Sequence, residues 1–237
     1  MAAMIRTHPA LLDKIRTIYD GGGLILWGAS FIRRRPGQVH HWHTDIESSS
    51  PKGGFVSVWI GLKGTNQASA LKIVPRSHHF GKTIQEIAQN EGNSREEIDD
   101  ACILSYGQSL SSNTEILQPE IQDGDAIIFD GRLWHGSANT NAKEDRYALL
   151  LQYARSDRTI QIPDFDHLSW PFQFVPNAKA PCIRISGKAN ATPNTLAEPP
   201  PDLSLYNVAL NSTIQSILPE VPLSIDTSFH SHPIGCS

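Results

Sequence analysis

The sequence predicts a mainly β protein, a barrel or sandwich of short strands with helical additions. Three observations favour this class: short runs rich in β-branched and aromatic residues, turn residues between them, and one clear helix before the first run. The chain has 237 residues, of which 39% are hydrophobic, and this suffices for one sizeable globular domain.

The first part of the chain predicts one helix and then three strands. Residues 8–20 carry apolar side chains at helical spacing, and the glycines at 21–23 end that helix. Strands are predicted at 24–32, 55–62 and 70–74. In the second strand, alternation separates one face, Val56, Val58, Ile60 and Leu62, from the other, Ser57, Trp59 and Gly61.

The stretch 81–118 is polar and helical in character. Residues 82–90 suit a helix, and Ser94 ahead of Glu96 and Glu97 marks a second helix start. We expect either an inserted lid, with bounds near 83–118, or a solvated connection between strands.

Strands resume at 126–129, 131–137 and 146–154, and they complete a domain predicted at 1–186. Prolines then become frequent, so residues 187–237 predict a Pro-rich extension that is partly irregular. One short helix is predicted within it, at 205–218.

Composition excludes several classes of partner. A net charge of -4 gives no broad positive field, so nucleic acid is not the expected partner. No apolar run has membrane-spanning length, and the N-terminus lacks the apolar core of a signal peptide. Three widely spaced cysteines argue against a disulfide framework. The expected location is therefore the cytoplasm, with no membrane partner.

One basic cluster interrupts the charge balance, at Arg33, Arg34 and Arg35. A solvated strand end explains it on general grounds. The alternative is a grip on an anionic substrate, and the sequence leaves both open.

His43 and Asp45 have the spacing of a metal site. In a strand, residues i and i+2 point to the same side, about 6–7 Å apart, so an imidazole and a carboxylate converge. A second histidine would complete a facial triad that holds Fe(II) and leaves three positions open. A structural zinc site would more often use four ligands, with cysteine among them. Because a His-x-Asp tripeptide arises readily by chance, it needs independent support.

A second cluster supplies that support. His135 lies on a predicted strand, Ser137 follows on the same face, and Arg146 opens the next strand. A buried guanidinium is the natural partner of a carboxylate, and a serine hydroxyl can donate to the same group. Taken alone, Arg146 would suit a surface ion pair with Glu144 or Asp145. Taken with His135, Ser137 and the upstream His43 and Asp45, Arg146 is more consistent with a carboxylate-binding site.

Four blocks, in order, resemble the phytanoyl-CoA dioxygenase family of 2-oxoglutarate oxygenases. They are ILWGASFIRRRPG, HHWHTDIES, VSVWIGLKGTNQASALKIVPRSHHFG and IQDGDAIIFDGRLWHGSANTNAKEDRYALLLQYAR. The resemblance implies a double-stranded β-helix, jelly-roll and cupin-like, with flanking helices and a helical insert. It implies iron ligands and co-substrate residues, which are His43, Asp45 and His135 for the metal and Arg146, Ser137, Trp59 and Ser30 for 2-oxoglutarate.

The sequence departs from the family pattern around the third strand. The family's Pro-Gly-Ser-His is Pro75-Arg76-Ser77-His78 here, so the usual turn glycine is missing. The expected Asn-Gly before that strand is replaced by Ala68-Ser69-Ala70. Trp59 would also suit a core position without any role in binding.

The activity that the resemblance implies is Fe(2+)- and 2-oxoglutarate-dependent hydroxylation of an unactivated C–H, with O2 consumed and succinate and CO2 released. The expected substrate is a small molecule, whose identity the sequence leaves open, as it does the oligomeric state. Desaturation, cyclisation or epimerisation at the same iron, a non-catalytic metal- or ligand-binding barrel and a zinc hydrolase are the alternatives.

Overall fold

A computed structural model describes residues 9–45, 55–141, 143–167, 171–187 and 192–197. Strands outnumber helices in this part of the chain, which confirms the mainly β prediction. The helices are α1 (Pro9–Ile18), α2 (Ile84–Asn90) and α3 (Asp100–Leu110), with 3₁₀ turns at Ser77–His79 and Arg95–Glu97. The strands are β1 (Leu24–Arg34), β2 (Val39–His43), β3 (Phe55–Lys63), β4 (Leu71–Ile73), β5 (Ala126–Asp130), β6 (His135–Ala138), β7 (Arg146–Arg155), β8 (Pro181–Ser186) and β9 (Thr195–Leu196).

These strands form two sheets. The larger has the order β5-β3-β7-β1-β8-β9 and the smaller the order β2-β6-β4. All neighbours are antiparallel except β8 and β9. Side chains from both sheets share one apolar cluster, to which the larger sheet contributes Trp59, Phe129 and Ala148 and the smaller Leu71 and Ile73. The sheets therefore face each other, and their inner faces are the ones that can hold a site.

Helix α1 covers the outer face of the larger sheet. Its buried side chains, Leu11, Leu12 and Ile15, pack against Val56 and Val58 of β3. The predicted alternation in β3 is confirmed, since Val56 and Val58 belong to this outer cluster whereas Trp59 belongs to the inner one. Ser57 and Trp59 are thereby directed between the sheets.

The helical character predicted for 81–118 is confirmed by α2 and α3. Thr83 caps α2 by accepting from Glu86 N at 3.0 Å, and Asp99 caps α3 by accepting from Cys102 N. Ser94, predicted to begin a helix, begins only the 3₁₀ turn, where it forms a capping box with Glu97. The segment packs against the smaller sheet through one apolar cluster. The cluster combines Trp42 of β2 and Trp134, which precedes β6, with Ile84 and Ile87 of α2 and Ile103 of α3.

Two strand predictions differ from the structure. The strand expected at 131–137 begins only at His135, because the Asp130 carboxylate bonds the backbone and side chain of Arg132 and forms a turn. Strands β8 and β9 were not expected, since their apolar alternation is short. The helix predicted at 205–218 lies outside the described residues.

Cys102 and Cys182 are free cysteines, in line with the prediction of no disulfide framework, and Cys236 lies outside the described residues. Of the helices described, none combines the length and the apolar character needed to cross a membrane.

Arg76 occupies the position where the family pattern has a turn glycine. Its φ is 62°, in the left-handed region that glycine adopts without strain. The side chain is exposed, so packing does not offset this strain. The neighbouring Ser77 hydroxyl joins the turn to two strands, because it donates to Val74 O and accepts from Trp134 N.

We expect Arg76→Gly to stabilise the protein by about 1 kcal/mol, because it relieves a left-handed non-glycine backbone at an exposed site. Urea denaturation measures the change in unfolding free energy. Arg35→Gly is the matched control, since Arg35 is also exposed but has no positive φ. An equal effect of both substitutions would contradict the assignment of strain to Arg76.

Candidate metal centre

His43, Asp45 and His135 converge between the sheets. His43 ends β2 and His135 begins β6, and the two residues are register partners. Their ligand atoms and an Asp45 oxygen all lie within 4.8 Å of one another. Asp45 Oδ1 is 3.7 Å from His43 Nε2 and 3.5 Å from His135 Nε2. Ligand atoms that share one ion at about 2.1 Å lie roughly 3–3.5 Å apart, so a small inward movement would suffice to bind one.

Both imidazoles are held in the tautomer that metal binding requires. His43 Nδ1 donates to His41 O at 2.9 Å, and His135 Nδ1 donates to Leu133 O at 2.7 Å. Because a carbonyl only accepts, each Nδ1 carries a proton and each Nε2 is directed toward the centre. Burial lowers the pKa of His43 well below its ordinary value, so this ring is neutral.

The Asp45 carboxylate is divided between the two sheets. Oδ1 faces the two imidazoles of the smaller sheet. Oδ2 accepts from Ser57 Oγ at 2.8 Å and from Gln152 Nε2 at 3.4 Å, both in the larger sheet. Burial raises the pKa of Asp45, but His135 and the Ser57 and Gln152 hydrogen bonds outweigh it, and the net pKa is lowered. The carboxylate is therefore ionised and oriented.

Sequence analysis missed Ser57 and Gln152 as parts of this site. Each is a polar residue on the inner face of an otherwise apolar strand, and this was the available signal. They are neighbours, since Ser57 pairs with Gln152 across β3 and β7, and Gln152 pairs with Gly28 of β1. A Cβ at Gly28 would lie 2.4 Å from Gln152 Oε1, so the absent side chain makes room for Gln152.

Arg146 lies on the inner face of β7 and is fully buried. Its Nη2 donates to Ser137 Oγ at 3.2 Å, and its Cζ lies 5.2 Å from the centre of the Trp59 ring. Nε and Nη1 have no hydrogen-bond partner in the described structure. Burial, and then the charge of Arg34, lowers its pKa to about 10. The guanidinium thus remains charged at neutral pH with two donors free for an anion.

The alternative of a surface ion pair for Arg146 is wrong. Asp145 instead accepts from Arg33 Nε at 2.7 Å. Trp59 lies beside Arg146 and is a core residue as well, while its place in a co-substrate pocket stays a prediction. Ser30 is exposed in β1 opposite Leu150, whose side chain packs with the inner cluster. No described contact joins Ser30 to Arg146, so its place in a co-substrate pocket stays a prediction.

The sequence profile of the family described as phytanoyl-CoA dioxygenase (PhyH) matches residues 16–148, more than half of the chain. This chain belongs to the phytanoyl-CoA dioxygenase family. The match includes the metal-facing residues, Ser137 and Arg146, and it confirms the resemblance noted in the sequence. No curated protein matches the sequence.

Solved structures resemble this chain at low identity, and one of them, ThoJ, has a TM-score above 0.5. The non-heme monooxygenase ThoJ, in its apo form, has a TM-score of 0.54 at 14% identity, over 89% of this chain and 70% of that chain. The epimerase SnoN from nogalamycin biosynthesis has a TM-score of 0.47 at 14% identity, over 67% of this chain, which spans 58% of SnoN. HygX from Streptomyces hygroscopicus, with nickel and 2-oxoglutarate bound, has a TM-score of 0.48 at 15% identity, over 65% and 64% of the two chains.

In this family member, the helical segment 81–118 forms hydrogen bonds along the free edge of β2, the strand that ends at the candidate ligand His43. Strand β2 is at the edge of its sheet, so one side of its backbone needs other partners. Thr44, between the two ligands, donates from its N to Gln85 Oε1 at 3.2 Å and accepts at its O from Gln85 Nε2 at 2.7 Å. Arg95 Nη2 donates to His41 O, the carbonyl that also holds His43. The segment thus positions the ligands, while its role as a lid stays a prediction.

We expect Gln85→Ala to weaken metal binding roughly tenfold, the lower end of the effect of groups that orient ligands. The cause is the loss of both hydrogen bonds to Thr44. Calorimetric titration with Ni(II) measures the change. Gln89→Ala is the control, because Gln89 is exposed on the same helix one turn away. Equal affinity of the Gln85 variant and the wild-type protein would exclude this positioning role.

We also expect the metal-free protein to lose stability as the pH falls from about 6.5 to 4. Burial, and then Arg34, lowers the pKa of His40 to about 3, and the pKa of His43 is lowered too. In this window the unfolded chain binds protons on these rings and the folded chain does not. Each group contributes up to about 1.4 kcal/mol per pH unit.

His40→Gln should therefore make the pH dependence shallower. Urea denaturation in the presence of a chelator, repeated across this pH range, measures the slope. A slope that His40→Gln does not alter would mean that His40 is protonated in the folded protein.

Proposed function

We propose that this protein is a non-haem Fe(II)- and 2-oxoglutarate-dependent dioxygenase that hydroxylates an unactivated C–H of a small-molecule substrate. One observation carries the proposal: two imidazoles and an ionised carboxylate converge beside a buried guanidinium that has two free donors. The triad suits a metal, and the guanidinium suits a carboxylate that arrives from outside the chain.

The donor set fits ferrous iron. Two imidazoles and one carboxylate form a facial triad, and such a triad leaves coordination positions open for ligands and oxygen. No cysteine takes part in the described group, and cysteine would be the common ligand of a structural zinc site. We infer that His43, Asp45 and His135 hold the iron.

The buried guanidinium fits 2-oxoglutarate. An uncompensated buried charge is costly, so an anionic ligand is expected at Arg146. The free Nε and Nη1 are each available to a carboxylate oxygen, and the Ser137 hydroxyl can donate to the same carboxylate. The dicarboxylate 2-oxoglutarate can reach the metal with one end and Arg146 with the other.

An iron ion held there would supply the oxidising chemistry, in which 2-oxoglutarate and O2 are consumed and succinate and CO2 are released. The chain's own residues provide the geometry. Ser57 and Gln152 hold Asp45 Oδ2 and leave Oδ1 for the metal, while backbone carbonyls fix both histidines. Trp59 and Phe129 shield the inner face, since Phe129 lies edge-on to His135 with 4.9 Å between the ring centres. This shielding keeps bulk water from the reacting groups.

Other outcomes at the same centre stay as alternatives, namely desaturation, cyclisation and epimerisation. A non-catalytic barrel that binds a metal or ligand is disfavoured, because it has no need for a buried, unpaired Arg146 beside the metal residues. A zinc hydrolase would have no use for 2-oxoglutarate, so dependence on that compound separates it from the proposal.

The test combines binding and turnover. We expect the wild-type protein to bind Ni(II) and then 2-oxoglutarate in calorimetry, and to form succinate only with Fe(II), 2-oxoglutarate and O2. Asp45→Ala should remove succinate formation, because it deletes one of three ligands. Asp157→Ala is the control, since Asp157 is an exposed carboxylate bonded to Arg155. Full turnover by the Asp45 variant, or succinate without iron, would refute the proposal.

A further inference from the structure

A second arginine points into the space beside Arg146. Arg34 of β1 and Arg146 of β7 are register partners. Side chains of directly opposite residues lie on the same face of a sheet, and Arg146 points inward to Ser137 and Trp59. The Arg34 side chain is therefore on the inner face too. The lowered pKa of Arg146, to which Arg34 contributes after burial, agrees with this proximity.

Arg34 has no carboxylate partner within the described part of the chain. Its Nη1 donates only to the carbonyl of its neighbour Arg33, and its Nε is buried without a partner. An aspartate accepts from each of Arg33, Arg132 and Arg155, whereas Arg95, Arg158 and Arg184 resemble Arg34 in having a buried Nε without a partner. Arg34 differs from these three because it lies opposite Arg146. Like charges placed opposite each other on neighbouring strands are destabilising. Bound anions would reduce the repulsion between Arg34 and Arg146.

His40 lies between Arg34 and the metal residues. It is the register partner of Ser137, which contacts Arg146, so His40 is on the inner face of the smaller sheet. Its ring stacks on that of His43, with 4.5 Å between the ring centres. After burial, the charge of Arg34 is the largest cause of the lowered pKa of His40. An anion held at Arg34 would thus lie one imidazole ring away from the metal ligand His43.

Charge balance shows that one co-substrate does not neutralise this space. Ferrous iron, Asp45 and Arg146 together carry two positive charges, and the two carboxylates of 2-oxoglutarate cancel them. Arg34 then remains as a permanent cation with a buried, unpartnered Nε. Leaving a charge partly buried and unpaired is costly, so a further anion is expected when the site is filled.

We propose that Arg34, beside His40, is a second anion subsite, and that the primary substrate is an organic anion whose carboxylate or phosphate group binds there. The inference rests on the proposed function, because Arg146 is assigned to 2-oxoglutarate. It also selects one of the two explanations for the basic cluster: Arg34 binds an anion, whereas Arg33 is an exposed strand residue paired with Asp145.

The experiment places small anions relative to the metal. The full chain is loaded with Mn(II) and saturated with 2-oxoglutarate, so that Arg146 is filled. Inorganic phosphate and 13C-labelled acetate are then titrated separately, and paramagnetic relaxation of the 31P or 13C nucleus reports binding near the metal. We expect saturable relaxation with at least one probe, and the probe that binds more tightly identifies the charged group preferred.

Variants assign the subsite. Arg34→Ala should weaken probe binding roughly tenfold or more, as expected for a lost charge-assisted contact. Arg34→Met, which keeps the aliphatic stem, should do the same and serves if the alanine variant is unstable. Arg33→Ala is the matched control, because it removes a neighbouring charge that is exposed and already paired. The affinity for 2-oxoglutarate should change little in all three variants.

Three outcomes would overturn the proposal: no saturable relaxation with either probe, equal effects of Arg33→Ala and Arg34→Ala, or a large loss of 2-oxoglutarate affinity in the Arg34 variants. The last would assign Arg34 to the co-substrate. Failure of the proposed function would give a different result, because the protein would then bind neither the metal nor 2-oxoglutarate in the first titrations. In that case, calorimetry of phosphate and acetate with the metal-free protein still tests Arg34.

Discussion

The hydrogen bonds to the Asp45 carboxylate are the interaction on which the site depends. One oxygen is held by Ser57 and Gln152 of the larger sheet, and the other faces the two imidazoles of the smaller sheet. A single buried anion thus fixes how the sheets stand relative to each other where chemistry is expected. The absent side chain at Gly28 is part of the same arrangement, since it leaves the volume that Gln152 occupies. Removing the carboxylate would leave the Ser57 and Gln152 donors of the larger sheet unsatisfied, which is costly in a buried place.

Positive charge in the same space is left for ligands to neutralise. Arg146 is fully buried with two free donors, and Arg34 lies opposite it. Stability alone would favour a carboxylate beside each of these guanidinium groups, as Asp130 lies beside Arg132 and Asp157 beside Arg155. Instead the chain keeps unpaired cations next to a metal triad, and this favours binding of a dicarboxylate and of an anionic substrate. Specificity and stability are opposed here, as is common at functional sites.

The helical segment after β4 has a structural part in the site. Gln85 satisfies both backbone groups of Thr44, and Arg95 shares the His41 carbonyl with His43. Without such partners, the edge strand that ends at His43 and leads into Asp45 would be free to shift its register. The apolar cluster around Trp42 and Trp134 anchors the segment to the back of the same sheet. Packing of the segment therefore affects the positions of the candidate ligands His43 and Asp45.

The sequence by itself determined the mainly β class, the alternating faces of β3, the residues of the candidate metal triad and the association of Ser137 with Arg146, because these follow from local spacing and from motifs shared with the family. Only the tertiary structure decided which polar residues join them. Ser57, Gln152, Gln85 and Arg34 come from separate elements, and no spacing along the chain says which of them lie opposite one another. Register supplies that information, since it sets which side chains share an inner face and which donors are left free. Those distances arise from packing of the whole sheet pair, and a linear pattern does not contain them.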